Sequence, residues 1–189
     1  MQRALEDRAG IAYCLFGLGR LALDRGNVEG ALARLDEGLD LFKQMGDRRY
    51  TAIVFTAYAR ALLAAGRSEQ GLNDLAKGLA MRKESGDRQG LVESLEAVAG
   101  ALLACAAVTP LTLVQVLGGA EARREAMGAP MPVVERPDYK RNVAELRSRI
   151  TEAEVFDEAW LAGRALSATA PEKVLELAWN ALGQALPRG

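Results

Sequence analysis

Apolar residues recur along this chain at spacings of three, four and seven, the pattern of helices with one buried face. Leu15, Leu18, Gly19 and Ala22 share a face of a first helix reaching to about Arg25, where Gly26-Asn27 tolerates the left-handed backbone that ends helices. A second helix carries Leu32, Leu35, Leu39 and Phe42 on one stripe, with the small residues Ala31 and Gly38 beside it. At a period of 40 residues the series returns as Phe55, Tyr58, Ala59 and Leu62, a turn at Gly66, and then Gly71, Leu72, Leu75, Gly78 and Leu79. Asp7-Arg8, Asp47-Arg48 and Asp87-Arg88 keep the same period, and Gly46, Gly86 and, after a two-residue insertion, Gly128 close the units. A glycine inside a helix costs up to about 1 kcal/mol relative to alanine. Gly38 and Gly78 at matching places therefore predict helices packed closely across them.

The third unit keeps its first helix, with Leu95, Val98, Ala99 and Leu102, and then departs. Ala106-Ala107-Val108 stands where the glycine turn belongs, and Thr109-Pro110 supplies an N-cap and first helical position for a second helix bearing Leu117 and Ala120. Beyond Gly128 the segment APMPVVERP, with Pro130, Pro132 and Pro137, reads as a stiff connector. Three helices follow outside the repeat. Tyr139, Val143, Leu146 and Ile150 share a face of the first. Thr151 with Glu154 forms a capping box for the second, which carries Phe156 and Trp160, and Thr169 with Glu172 around Pro171 opens the last. That last helix is apolar on a broad arc: Val174, Leu177, Ala178 and Ala181 on one side, Leu175, Trp179, Leu182 and Leu186 extending it. The expected architecture is all-α: three hairpins at about 7–46, 47–86 and 87–128, a connector over 129–137, and a non-repeat three-helix cap over 138–189 packed on the array. A repeat of this length with two helices per copy is the sequence sign of an α-solenoid.

The order of large and small positions resembles the tetratricopeptide repeat. Leu15, Leu18-Gly19, Gly26, Ala31, Leu35 and Gly38-Leu39 match it in the first copy, and Phe55, Tyr58-Ala59, Gly66, Gly71, Leu75 and Gly78-Leu79 in the second. The family's usual repeat is about 34 residues, so these longer copies, without the closing proline, look like the extended variety of bacterial regulators. HEAT and armadillo repeats match the length but not the order of small residues. EARREAMGAP with the later FDEAWLAGRALS resembles the C-terminal end of large bacterial LuxR-type and antibiotic-pathway transcriptional activators that contain an ATPase. The resemblance implies a right-handed solenoid that senses a protein or an inducer, with nucleotide hydrolysis and DNA binding elsewhere in the polypeptide. MQRALEDR reads as the tail of an earlier helix, so the chain is expected to be part of a longer one.

Composition narrows the chemistry. With 24 Lys+Arg against 25 Asp+Glu the net charge of -1 gives no general attraction to nucleic acid or to an anionic membrane. No stretch approaches the roughly 20 apolar residues of a membrane span, and MQRALEDR lacks an apolar signal core, which points to a cytoplasmic location. Cys14 and Cys105 stand far apart, without ligand spacing, and are read as small buried hydrophobes. The absence of histidine removes the commonest general base and metal ligand, so neither catalysis nor a cofactor or metal is expected. Glu93 with Glu96 reads as a solvated helix face rather than an acid-base pair. Gly17-Leu18-Gly19-Arg20-Leu21-Ala22 matches a dinucleotide fingerprint in letters only, because the helical period runs straight through it. The basic residues Arg123, Arg124, Lys140, Arg141, Arg147 and Arg149 alternate with acids, as on a salt-laced helix surface.

In the tetratricopeptide family the first helix of each copy lines the concave face. The corresponding positions here are Tyr13, Phe16 and Arg20, then Ile53, Thr56 and Arg60, then Glu93 and Glu96. The function expected is partner binding in that groove, by a protein, a peptide or a small inducer, without nucleic-acid contact. The alternative is a homodimer formed through the C-terminal helix by Leu175, Trp179, Leu182 and Leu186.

Overall fold

The computed structural model describes residues 2–106, 108–133 and 136–186, with side chains from Asp7 onward. Met1, Ala107 of the expected Ala106-Ala107-Val108 break, Val134, Glu135 and residues 187–189 lie outside them. The described residues form helices α1 (Gln2–Asp24), α2 (Val28–Gln44), α3 (Arg48–Ala64), α4 (Ser68–Ser85), α5 (Arg88–Cys105), α6 (Pro110–Met127), α7 (Arg136–Arg149), α8 (Ala153–Thr169) and α9 (Pro171–Ala185), with no strand among them. None of these helices is long and apolar enough to cross a membrane.

The chain divides into two compact units, Met1–Asp87 and Arg88–Gly189. The hairpin α5–α6 thus clusters with the three later helices rather than with the first two hairpins.

In the first unit α2 packs on both α1 and α3, α3 packs on α4, and α1 touches α3. The period of 40 is visible in the packing. A Cβ on Gly38 would lie 3.5 Å from the Ala12 carbonyl oxygen and 3.4 Å from the Leu15 Cβ, and one on Gly78 would lie 3.2 Å from that of Ala52 and 3.4 Å from that of Phe55. Each pair sits one repeat apart, so the small residues hold both hairpins at the same close distance. Leu35, Leu39, Phe42, Val54, Phe55 and Leu62 fill the space between the helices. Tyr13, Phe42 and Tyr50 close one end as an aromatic trio, with ring centroids 4.5 to 5.3 Å apart.

The turns are as regular as the helices. Gly26, Gly46, Gly66 and Gly86 all have φ between 66 and 75°, the left-handed conformation in which glycine pays no Cβ penalty. Asn27 and Asp47 then cap α2 and α3, their side chains accepting from Gly30 N and Tyr50 N at 2.9 Å. Ala106 continues the 20-residue series with φ 51°, the one positive φ outside glycine among the described residues.

Several expectations are corrected. The segment before Asp7 is not the tail of a separate earlier helix, because α1 runs unbroken from Gln2 to Asp24. Leu18 is exposed and Cys14 with it, since the face that meets α2 is Ala12, Leu15 and Gly19, one step round the helix. Thr151 and Glu154 do not form a capping box: Glu152 is the N-cap of α8, without a side-chain cap bond. Thr169 ends α8 and donates its hydroxyl to the Ala165 carbonyl at 2.9 Å, leaving Ala170 alone to cap α9. The connector is shorter than expected, because α7 starts at Arg136 with Pro137 in its first turn, where a missing N–H costs nothing.

In the second unit α6 is the hub, packed on by α5, α7, α8 and α9. Its approach to α8 is close enough to forbid side chains. A Cβ on Gly118 would stand 2.4 Å from the Trp160 carbonyl oxygen, and one on Gly163 would stand 2.0 Å from that of Gln115. Gly119 gives way to Val174 of α9 in the same manner, at 2.7 Å. Leu113, Leu117, Leu146, Phe156, Val174 and Leu182 are buried in this unit.

Candidate interaction surfaces

The expected groove residues of the first unit lie on α1 and α3, helices in contact with each other. Phe16, Arg20, Ile53, Thr56 and Arg60 are all half-buried. They lie one step round from the buried Ala12 and Gly19 of α1 and Ala52, Phe55 and Ala59 of α3. The Arg20 guanidinium lies over the Phe16 ring, 5.7 Å from its centroid, so stacking presents the charge above an apolar base. The Thr56 hydroxyl turns back on its own helix, donating to the Ala52 carbonyl at 3.4 Å. Tyr13 is exposed at its rim but leans on Tyr50 and Phe42. Reduced hydration raises the pKa of its phenol, and the neighbouring Tyr50 and Asp47 add to the shift.

A shallow depression of about 310 Å³ lies between α3 and α4, lined by Tyr58, Leu62, Arg67, Gln70, Asn73, Asp74 and Lys77. Its polar groups are largely spoken for. Lys77 Nζ meets Asp74 at 2.7 Å, Arg67 Nε meets Gln70 at 2.6 Å, and the Tyr58 hydroxyl is hydrogen-bonded to Asp36. Burial first, and Asp36 second, raise the Tyr58 pKa.

In the second unit the expected site residues Glu93 and Glu96 differ in their surroundings. Glu93 is half-buried on α5, where Gln89 Nε2 donates to it at 3.2 Å. Glu96 faces α6: Arg124 Nε and one terminal nitrogen donate to its two oxygens at 2.7 and 2.6 Å. Their side chains are only 11% and 7% exposed. Beside them Tyr139 of α7 holds a buried hydroxyl without a hydrogen-bond partner among the described residues. Burial, reinforced by the charges of Glu121 and Glu96, pushes its pKa far up.

A second cluster joins α6 to α8. The Trp160 indole donates to Glu121 at 3.1 Å, and Arg164 donates to Glu121 at 2.7 Å and to Glu125 at 2.6 Å. That hydrogen bond from Arg164 lowers the Glu125 pKa. EARREAMGAP and FDEAWLAGRALS, paired above by resemblance alone, are thus brought into contact. Glu121 and Glu125 sit four residues apart on α6, as do Trp160 and Arg164 on α8. This matched spacing is the signal in the sequence that the basic and acidic residues belong to a contact rather than to separate solvated faces.

On α9, Leu182 is only 2% exposed and packs inward with Val174, Ala178 and Ala181, so it is withdrawn from the expected outer face. Leu175 and Leu186 are half-buried, and Trp179 remains 42% exposed. Among the described residues no group of His, Cys, Asp and Glu is placed to hold a metal ion. Comparison with protein-family models, with curated proteins and with solved structures finds no match.

Proposed function

We propose that the chain is a non-enzymatic interaction module whose first unit is a pair of tetratricopeptide-like hairpins. It binds a protein, a peptide or a small inducer across α1 and α3, in the manner of the sensor portion of a bacterial transcriptional regulator. The observation that carries this reading is the repetition of one half-buried row on two neighbouring helices: Phe16 and Arg20 on α1, Thr56 and Arg60 on α3. The Arg20 guanidinium stacked on an aromatic ring suits an acidic segment bearing apolar side chains. Glu96 belongs to the second unit, where Arg124 holds it.

The test uses a synthetic acidic, leucine-bearing helical peptide labelled for fluorescence polarisation. Arg20→Glu with Arg60→Glu weakens its binding by more than about tenfold, as expected when charge-assisted contacts become repulsive, while helicity is unchanged. Equal affinity in the two proteins refutes the assignment.

A second reading, association of two copies through the outer side of α9, is favoured by the exposure of Trp179. Open space where a side chain on Gly183 would point adds to it. Here Trp179→Glu converts a dimer to a monomer in sedimentation.

A further inference from the structure

The outward side of α1 carries a row that nothing in the first unit covers. Ile11 and Leu18 are each 51% exposed and Leu21 is 43% exposed, with Cys14 exposed between them. Asp7 and Arg25, both exposed, end the row. The six positions 7, 11, 14, 18, 21 and 25 are spaced 4-3-4-3-4, the seam of a two-helix coiled coil. Single exposed leucines are ordinary; four apolar residues in one heptad register are a surface.

On α3 the positions one repeat later are Thr51, Val54, Tyr58 and Ala61. Thr51, Val54 and Ala61 are buried and Tyr58 is half-buried with its hydroxyl on Asp36 of α2. The same face is therefore covered by a helix where the chain supplies one. Gly10 and Gly17 flank the α1 row, and nothing lies within 4 Å of where their side chains would begin. Unlike Gly38 and Gly78, they have no packing partner in the described chain to offset their cost in a helix.

We propose that this face is occupied by α1 of a second copy, running antiparallel about a two-fold axis that crosses the seam at the level of residue 16. The face is self-complementary. Antiparallel pairing places residue i opposite 32 minus i, so Ile11 meets Leu21 of the other copy, Cys14 meets Leu18, and Asp7 meets Arg25. Every apolar position finds an apolar one, and both ends close with an acid against a base. Asp7 and Arg25 have no ion-pair partner among the described residues. Asp47, one repeat after Asp7, is occupied in capping α3. Gly17 falls beside the axis, where two backbones come nearest. A parallel pair would set Asp7 against Asp7 and Arg25 against Arg25, which selects the antiparallel arrangement.

The seam from Asp7 to Arg25 is about 27 Å long at 1.5 Å per residue. One helix pair of that length lies at the small end of specific interfaces, so dissociation constants in the micromolar range are expected. Sedimentation of the 189-residue protein from about 1 to 500 μM therefore shows the mass doubling across that range. Leu18→Glu keeps the helicity and stays monomeric throughout, a weakening of at least about a hundredfold. Asp7→Arg and Arg25→Asp each weaken the dimer, and the two together, which keep the wild-type net charge, restore it. A wild-type protein that remains a monomer overturns the pairing and leaves the face to some other helix. So does a dimer that Trp179→Glu dissolves but Leu18→Glu does not, or a double charge reversal without recovery.

Discussion

Glu96 and Arg124 face each other across α5 and α6 in a two-point hydrogen-bonded pair that is almost wholly enclosed. Removing one partner from such a pair leaves an uncompensated charge, which costs about 3–5 kcal/mol, whereas replacing both by apolar residues of similar volume is often neutral. Glu96→Ala should accordingly lower the stability of the second unit by several kcal/mol in urea denaturation, and Glu96→Leu with Arg124→Leu should recover most of the loss. A single variant as stable as wild type contradicts the enclosed pairing.

Ala106 holds a φ of 51° at the place where the four earlier turns have glycine. Left-handed backbone costs a residue with a Cβ about 1–2 kcal/mol. Glycine also gains freedom in the unfolded chain, which offsets part of the relief. Ala106→Gly is expected to stabilise the protein by about 1 kcal/mol, read as a higher denaturation midpoint. Destabilisation would mean that the methyl group has packing of its own.

The glycines inside helices fall into two groups with opposite expected responses. A methyl group on Gly163 meets the Gln115 carbonyl, which is backbone and cannot turn aside. Gly163→Ala should force α8 away from α6 and cost several kcal/mol, in the range of overpacked cores. Gly183→Ala meets nothing within 4 Å and should gain up to about 1 kcal/mol from helix propensity. Thermal melts of the two variants must move in opposite directions.

These cases also mark what the sequence discloses. The period of 40, the turns and the close packing at Gly38 and Gly78 were legible because each copy repeats both the contact and the residues that make it. Leu18 was misplaced because α1 has two adjacent apolar stripes, and helical spacing alone does not say which one α2 covers. The contact of Gly118 with Trp160 joins segments with no repeat relation, so only the matched four-residue spacing of Glu121 and Glu125 with Trp160 and Arg164 marks them as neighbours. Glu96 looked like a surface acid for the same reason: its partner Arg124 lies 28 positions on, on a helix whose departure from the repeat hid its orientation. Phe16, Arg20, Thr56 and Arg60 were placed by family pattern, and their binding role rests on the peptide experiment.

Tyr139 provides a test through pH. Its hydroxyl is buried without a partner among the described residues, and burial raises its folded-state pKa well above the ordinary value of 10.0. Above pH 10 the unfolded phenol has lost its proton while the folded one keeps it, so the folded state binds more protons and stability falls as pH rises. The contribution is fully present below pH 10 and is lost progressively above it. Tyr139→Phe removes both the ionisable group and the unsatisfied hydroxyl, whose burial costs about 1–3 kcal/mol. The variant should therefore match or exceed wild type at pH 8, and its melting temperature should fall less between pH 8 and pH 10.5. Parallel declines in the two proteins would place the alkaline sensitivity elsewhere, with Tyr13 and Tyr58, whose pKa values are also raised, the next tyrosines to replace.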